Sequence, residues 1–142
     1  MSVMQISVLL DNVPGTLSKL TNILDNEDIT VKAMLSASSA ESSIVRLVVS
    51  EPSRAAAILE TFHFNYEITP VLAAEVPLHS GGIKAILKPL AKSEVNILYL
   101  YTTIERIGKE TIVILGVDKI DEAREILEQN WIRLVGDEIY SL

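Results

Sequence analysis

A short stretch near the start of the chain, residues 11–17, has the residue types and spacing that could do chemistry. Its sequence is Asp-Asn-Val-Pro-Gly-Thr-Leu, and it joins an apolar run, residues 3–10, to a helical pattern that begins at Pro14. A strand that turns sharply into a helix aims free backbone N–H groups and the positive end of the helix dipole at one spot. Such a spot suits a small anion, above all a carboxylate.

Two side chains of this turn could bind the positive end of a ligand whose carboxylate lies at the helix start. The Asp11 carboxylate can accept hydrogen bonds from an ammonium group, with Asn12 beside it, while Gly15 leaves backbone N–H groups uncovered for a carboxylate. Together these groups fit a zwitterion. Simpler roles stay open, because Asp11 and Asn12 could cap the helix and Gly15 could serve only close packing or a positive φ.

The composition of the whole chain excludes several classes of function. The 142 residues carry a formal net charge of −7, without the basic stripe that nucleic-acid binders use. There is no cysteine, which excludes disulfides, thiolate catalysis and Cys-based zinc sites. No apolar run reaches the roughly 18 residues of a membrane span, and residues 1–5 lack the positive region of a signal peptide. We expect a cytoplasmic protein.

The first half of the chain has the element order β-α-β-β-α-β. Runs of β-branched and aliphatic residues predict strands over residues 3–10, 29–37, 44–49 and 65–68. Helices are predicted from Pro14 and from Pro52, each with one apolar face, and residues 36–43 are small and polar enough for a mobile hairpin connection. This order is typical of a ferredoxin-like unit, with two helices on one face of an antiparallel sheet.

The second half of the chain repeats the first. Gly81 follows Gly15 by 66 residues, and Ala123 follows Ala55 by 68. The repeat predicts strands over residues 71–76, 96–104, 110–117 and 131–135, helices over 80–92 and 120–129, and a hairpin over 104–109 with Gly108 in the turn. We therefore predict an α+β fold of two tandem ferredoxin-like units, residues 1–69 and 70–142, with antiparallel sheets that pack as a pair.

A second turn falls where the first one recurs. Its candidate ligand-binding residues are His79, Ser80, Gly81 and Gly82, while Pro77 stands at the position of Asp11. A single histidine in a loop is ordinarily solvated, and no neighbouring cluster completes a metal site, so we expect neither metal nor cofactor. No nucleophile is paired with a base and no phosphate loop is present, and the first turn lacks the arginine that an acylphosphatase would need. We expect no catalysis.

Three aromatic residues of the second half could serve packing alone. Tyr99 and Tyr101 alternate with leucines and so share one sheet face. They could line a pocket or a dimer interface, or pack under a helix or beside the partner repeat. Trp131 is expected to start the last strand as a core residue.

The repeat resembles the ACT domain, a family of regulatory modules that bind amino acids or other small metabolites. The residues that carry the resemblance in the first copy are Asp11, Pro14, Gly15 and Leu17, followed by residues 28–31 at the start of the second strand. The second copy keeps Gly81, Gly82, Ile83 and residues 94–97, but has Pro77 for the acidic residue and Ser80 for the proline. The resemblance covers essentially the whole chain as two copies.

The resemblance implies a function and a site. In this family the ligand usually lies between two ACT units, against the first turn, which points to Asp11, Asn12, Val13, Pro14, Gly15 and Thr16. It implies a non-catalytic, amino-acid-binding regulatory protein, a homodimer, whose ligand favours one arrangement of units that an associated metabolic enzyme or regulator detects. The alternative is a ligand-free interaction or scaffold subunit of a metabolic enzyme complex.

Overall fold

The structure, a computed structural model, describes residues 2–105, 108 and 110–142. Its elements are β1 (Val3–Asp11), α1 (Thr16–Asn26), β2 (Val31–Ser38), β3 (Ser42–Val49), α2 (Pro52–Thr61), β4 (Asn65–Val76), α3 (Gly82–Lys92), β5 (Ile97–Thr102), β6 (Thr111–Val117), α4 (Ile120–Gln129), β7 (Leu134–Val135) and a short 3₁₀ helix (Asp137–Ser141). The predicted α+β fold of two tandem ferredoxin-like units is confirmed. The first unit comprises β1 to β4 with α1 and α2, and the second comprises β4 to β7 with α3 and α4.

One long strand, β4, serves both units. Its first part pairs with β1, from Asn65 opposite Leu9 to Val71 opposite Val3, and its second part pairs with β6 from Leu72 onward. The prediction of two separate strands here was wrong. Pro70 does not interrupt the strand, because it stands before the β6 ladder begins, where β4 has a free edge that can tolerate a missing N–H group. The predicted unit boundary at residues 69 and 70 lies inside this strand and stays a prediction.

The strands form a single antiparallel sheet that curls until its outer strands meet. The order is β2-β3-β1-β4-β6-β5, with β7 pairing with β4. Ala33 of β2 and Thr103 form an antiparallel bridge, and the Ile104 N–H donates to the Lys32 carbonyl at 2.8 Å. The β2–β3 connection is shorter than the predicted residues 36–43, since both strands extend into that stretch. The predicted second hairpin includes residues 106, 107 and 109, which lie outside the described residues.

Three apolar clusters hold the layers together. One lies between α1, α2 and the first unit's strands, and another lies between α3, α4 and the second unit's strands. The third joins the helix-free faces of the two units and is built from Val3, Ala33, Val48, Val71, Ala73, Tyr101, Ile112, Ile114, Val135 and Ile139. Burial of these side chains from water stabilises the pairing of the units.

Tyr99 and Tyr101 lie in this third cluster, beside a polar residue from the first unit. Gln5 is fully buried, and its Nε2 donates to the Tyr99 hydroxyl at 2.8 Å while the Tyr101 hydroxyl donates to Gln5 Oε1 at 2.6 Å. The Arg46 guanidinium lies 4.1 Å from the centroid of the Tyr99 ring. Burial raises the pKa of the Tyr101 hydroxyl well above its usual value. Of the roles left open for these tyrosines, the structure selects packing beside the partner repeat.

All four helices end in the same backbone motif. In each, the second residue after the last helical one adopts a left-handed conformation, and the next N–H donates back to the carbonyl five residues earlier, at 2.9 or 3.0 Å. The left-handed residues are Asp28, His63, Glu94 and Trp131, with φ between 58° and 62°. The prediction that Trp131 is a core strand residue was therefore wrong. It is 94% exposed because the motif turns it outward, and Ile132 is buried in its place.

Candidate ligand-binding site

The first turn is shaped by Gly15 and Thr16. Gly15, at φ 91°, is the N-cap of α1, so the helix begins at Thr16 rather than at the predicted Pro14. The Val13 N–H donates to the Asp11 carbonyl at 2.9 Å, and the Thr16 hydroxyl donates to the same oxygen at 2.9 Å. The N-cap makes no side-chain hydrogen bond, so the capping role considered for Asp11 and Asn12 was wrong.

Asn12 instead ties the turn to the β2–β3 hairpin. Its side-chain Nδ2 donates to the Ser39 carbonyl at 2.9 Å, and its backbone N–H donates to the Glu41 carbonyl at 3.0 Å. These bonds fix the turn against a neighbouring strand pair, so the position of the helix start does not depend on the turn alone.

The start of α1 leaves backbone donors unused. The first helical hydrogen bond runs from the Lys19 N–H to the Gly15 carbonyl at 2.9 Å. The N–H groups of Thr16, Leu17 and Ser18 precede it and have no acceptor within the described part of the chain. Together with the positive end of the helix dipole, they favour an anion at this end of α1.

A cleft of about 330 Å³ lies beside residues 11–17, between the end of β1, the beginning of α1 and the residues that follow α2. We call it the first cleft, and its lining is Leu9, Leu10, Asp11, Thr16, Lys19, Phe62, His63, Phe64 and Asn65. The Asp11 carboxylate and the Lys19 ammonium both border it but form no salt bridge with each other or with any other described residue. The first cleft therefore presents an uncompensated negative charge and an uncompensated positive charge to one ligand-sized space.

The sequence-predicted residues divide between the cleft and its surroundings. Asp11 and Thr16 line the first cleft, whereas Asn12, Val13, Pro14 and Gly15 are exposed on the turn beside it. The sequence reasoning missed the cationic and aromatic side of the lining, of which Lys19, Phe62 and His63 are the main members. Lys19 could have been found, because it follows Thr16 by three residues and so shares its helix face.

The second turn has the same left-handed N-cap glycine as the first, but it leaves less room for a side chain at the start of its helix. Gly81, at φ 84°, is the N-cap of α3. The Gly82 N–H donates to the His79 carbonyl at 2.9 Å, and His79 Nδ1 donates to the Ser80 carbonyl at 2.9 Å. A Cβ on Gly82 would lie 2.1 Å from the Pro77 carbonyl oxygen. Ser80 and Gly81 border a groove of about 670 Å³ along α3, whereas His79 and Gly82 do not line it.

A cleft of about 220 Å³ occupies the place in the second unit that the first cleft occupies in the first. This second cleft is lined by Glu75, Val76, Pro77, Glu110, Trp131, Ile132 and Arg133. Arg133 donates to Glu75 at 2.7 Å and to Glu138 at 3.3 Å. The arginine of the second cleft is therefore paired with Glu75 of the same cleft, whereas the cation of the first cleft, Lys19, has no such partner among the described residues.

The part of the chain that the structure describes has neither a cluster of metal-ligating side chains nor a membrane-spanning helix. Within that part, no three His, Asp or Glu side chains are grouped so that they could hold a metal ion. None of the helices found there is long and apolar enough to cross a bilayer.

Comparison with known proteins identifies the family. The sequence matches the family described as an ACT domain pair over residues 1–141. The crystal structure of protein BT0572 from Bacteroides thetaiotaomicron is similar over 100% of this chain and 98% of that one, with 29% identity and a TM-score of 0.91. The regulatory subunit of aspartate kinase from Thermus thermophilus, in a ligand-free form, shares the fold at 16% identity and a TM-score of 0.61, over 89% of this chain and 91% of that one. No curated protein matches the chain. The match over nearly the whole length, together with two ferredoxin-like units, shows that this protein belongs to the ACT domain family, as a pair of ACT domains.

Proposed function

We propose that this ACT domain pair is a non-catalytic regulatory protein that binds a free amino acid in the first cleft. The observation that carries the proposal is the combination of unpaired Asp11 and unpaired Lys19 around one space, with the free N–H groups at the start of α1 beside it. An amino acid carries an ammonium and a carboxylate on the same carbon atom, which is the charge pattern that these groups complement.

The binding mode assigns a role to each group. The ligand's carboxylate accepts hydrogen bonds from the N–H groups of Thr16, Leu17 and Ser18, and the Lys19 ammonium adds a further positive charge. The ligand's ammonium donates to the Asp11 carboxylate. The ligand's side chain then lies toward Phe62 and Phe64, whose rings offer apolar surface, so the site favours an amino acid with some apolar character.

Regulation follows from differential binding. A ligand shifts an equilibrium between two states only by the difference between its affinities for them. The first turn is tied through Asn12 to the β2–β3 hairpin, and a ligand that orders the turn also orders this connection. We propose that an associated metabolic enzyme or regulator detects this difference.

A thermal-shift screen with the twenty amino acids at millimolar concentration tests the proposal. One amino acid should raise the melting temperature, because a ligand present at about 100 times its dissociation constant stabilises the native state by about 2.7 kcal/mol. Calorimetric titration should then give one site per chain, since the arginine of the second cleft is already bound by Glu75 and Glu138. If no amino acid shifts the melting temperature, the ligand-free scaffold is the better explanation.

Variants of the first cleft locate the site. Asp11→Asn and Lys19→Gln should each weaken binding at least about tenfold, because each leaves one charged group of the ligand uncompensated. Asp25→Asn is the matched control, since Asp25 is an exposed carboxylate near the far end of α1 and does not line the cleft. Equal effects of Asp11→Asn and Asp25→Asn would mean that the ligand binds elsewhere.

A further inference from the structure

The two helices of the second unit carry opposite net charges. Helix α3 contains Lys84, Lys88 and Lys92 and no acidic residue, which gives +3. Helix α4 contains four acidic residues and Arg124, which gives −3. In the first unit, α1 and α2 each contain one basic and one acidic residue and are neutral. The separation of charge is thus specific to the second unit's helix layer.

These charges are exposed and largely unused within the chain. The three lysines follow each other at intervals of four residues, so they form a row of about 12 Å on one side of α3. We call Lys84, Lys88 and Lys92 the lysine row, and Glu122, Glu125 and Glu128 on the exposed arc of α4 the acidic row. All six are exposed, and none forms a salt bridge with another described residue.

The two rows lie on one outer face. Helices α3 and α4 pack side by side over a common apolar core that includes Ile86, Leu90, Ala123 and Leu127. The lysine row lines the groove of about 670 Å³ together with Ala85 and Pro89 of α3 and with Asn130, which follows the end of α4. The same helix layer exposes 41% of Ile83. The face therefore combines complementary charges with some apolar surface, the usual makeup of a protein interface.

We propose that this outer face of α3 and α4 is a homodimer interface, in which the lysine row of one copy faces the acidic row of the second copy. A two-fold axis makes every such contact twice, so one arrangement satisfies both rows of both copies. The proposal does not depend on the amino-acid site, which lies in the other unit.

The charge pattern also selects the direction of the two-fold axis. An axis parallel to the helices and midway between them brings α3 of one copy over α4 of the other. An axis perpendicular to the helices, in the plane of the interface, would instead bring α3 over α3 and α4 over α4, which places like charges opposite each other. The dimer therefore has its axis along the helices.

A second copy is the occupant that fits both rows. A partner that was only acidic or only basic would meet one favourable row and one unfavourable row on the same face. Two copies with a net charge of −7 each repel one another over most of their surfaces, so they associate where opposite local charges meet. This face supplies that local match.

Charge reversal tests the interface. The variant K84E/K88E/K92E turns α3 to −3, and the variant E122K/E125K/E128K turns α4 to +3. Sedimentation velocity of the wild-type chain at about 100 µM should show a dimer, and each variant alone should show a dissociation constant raised at least about 100-fold, because like charges then face each other.

Mixing the variants gives the decisive result. The first variant presents two negative helices and the second presents two positive helices, so an equimolar mixture should form a heterodimer although neither forms a homodimer. A variant carrying all six changes should also recover the homodimer. A monomeric wild-type chain, or a dimer that survives both reversals, would overturn the proposal.

Two controls keep these outcomes interpretable. Ser18→Glu, Asn22→Glu and Ser53→Glu together add negative charge to exposed positions of α1 and α2 and should leave the dimer intact. The neutral variant K84Q/K88Q/K92Q should weaken the dimer less than the charge reversal does, and it guards against loss of folding caused by three adjacent glutamates. Thermal melting of each variant confirms that the chain is folded before its association is measured.

Discussion

The two turns of this ACT domain pair share a backbone and differ in what surrounds it. Gly15 and Gly81 both cap a helix in a left-handed conformation, at φ 91° and 84°. In the first turn, Thr16 follows the glycine and its hydroxyl reaches back to the Asp11 carbonyl. In the second turn, Gly82 stands at the position of Thr16, and the carbonyl of Pro77 lies where a Cβ would need to be.

The adjoining clefts differ in how their charges are satisfied. The first cleft leaves Asp11 and Lys19 without a salt-bridge partner among the described residues, whereas Arg133 of the second cleft is bound by two glutamates. Unpaired charges at a partly enclosed surface are available to a ligand, and paired ones are not. The comparison teaches that a repeated fold can keep the backbone of a turn while the charges beside it are arranged differently in the two copies.

The largest expected effect comes from adding a methyl group to the second turn. Gly82→Ala should destabilise the protein by about 3 kcal/mol, because the new Cβ would lie 2.1 Å from a backbone oxygen that cannot move without shifting the turn. Urea denaturation measures this change. A loss below about 1 kcal/mol would show that the second turn relaxes as easily as the first.

The left-handed glycines should respond alike in both units. Gly15→Ala and Gly81→Ala should each cost about 1–2 kcal/mol, because neither added Cβ has a neighbour within 4 Å and only the positive φ is unfavourable. The same denaturation measurement compares them. A clear difference between the two losses of stability would show that the backbones of the two turns are not equivalent.

The hydroxyl of Thr16 should contribute to the first turn alone. Thr16→Val keeps the branched shape and removes the donor to the Asp11 carbonyl, so we expect a loss of about 1 kcal/mol. Thr21→Val is the control, since the Thr21 hydroxyl donates to the Ser18 carbonyl within the same helix at 3.0 Å, away from the turn. If both substitutions cost the same, the Thr16 bond has no special part in shaping the turn.

The smallest expected effect concerns the left-handed residues that follow α2 and α4 and line the clefts. Trp131→Gly should stabilise the protein by about 0.5–1 kcal/mol, because glycine adopts the left-handed conformation without strain and the exposed indole loses little packing. His63→Gly in the first unit should stabilise by a similar amount. A destabilised Trp131→Gly variant would show that the indole has packing that its 94% exposure hides.

Local signals in the sequence were sufficient to place the two turns but not to fix the start of α1 or the lining of the clefts. The left-handed Gly15, the order of elements and the internal repeat all follow from turn chemistry and periodicity, which depend on neighbouring residues. The first cleft also needs His63 and Asn65, which reach the end of β1 only because β4 pairs with it. The continuity of β4 through Pro70 was missed for the same reason, whereas the exposure of Trp131 follows from the local motif that ends α4.

The shared strand β4 has a mechanical consequence for the pair. Two domains joined by a flexible linker can swing like a hinge, but here one uninterrupted strand carries hydrogen bonds to β1 at one end and to β6 at the other. The joint between the units is therefore a hydrogen-bonded strand and not a flexible linker. The continuous backbone of β4 leaves no free segment between the two units, so one pair of hydrogen-bonded ladders sets how they lie relative to each other.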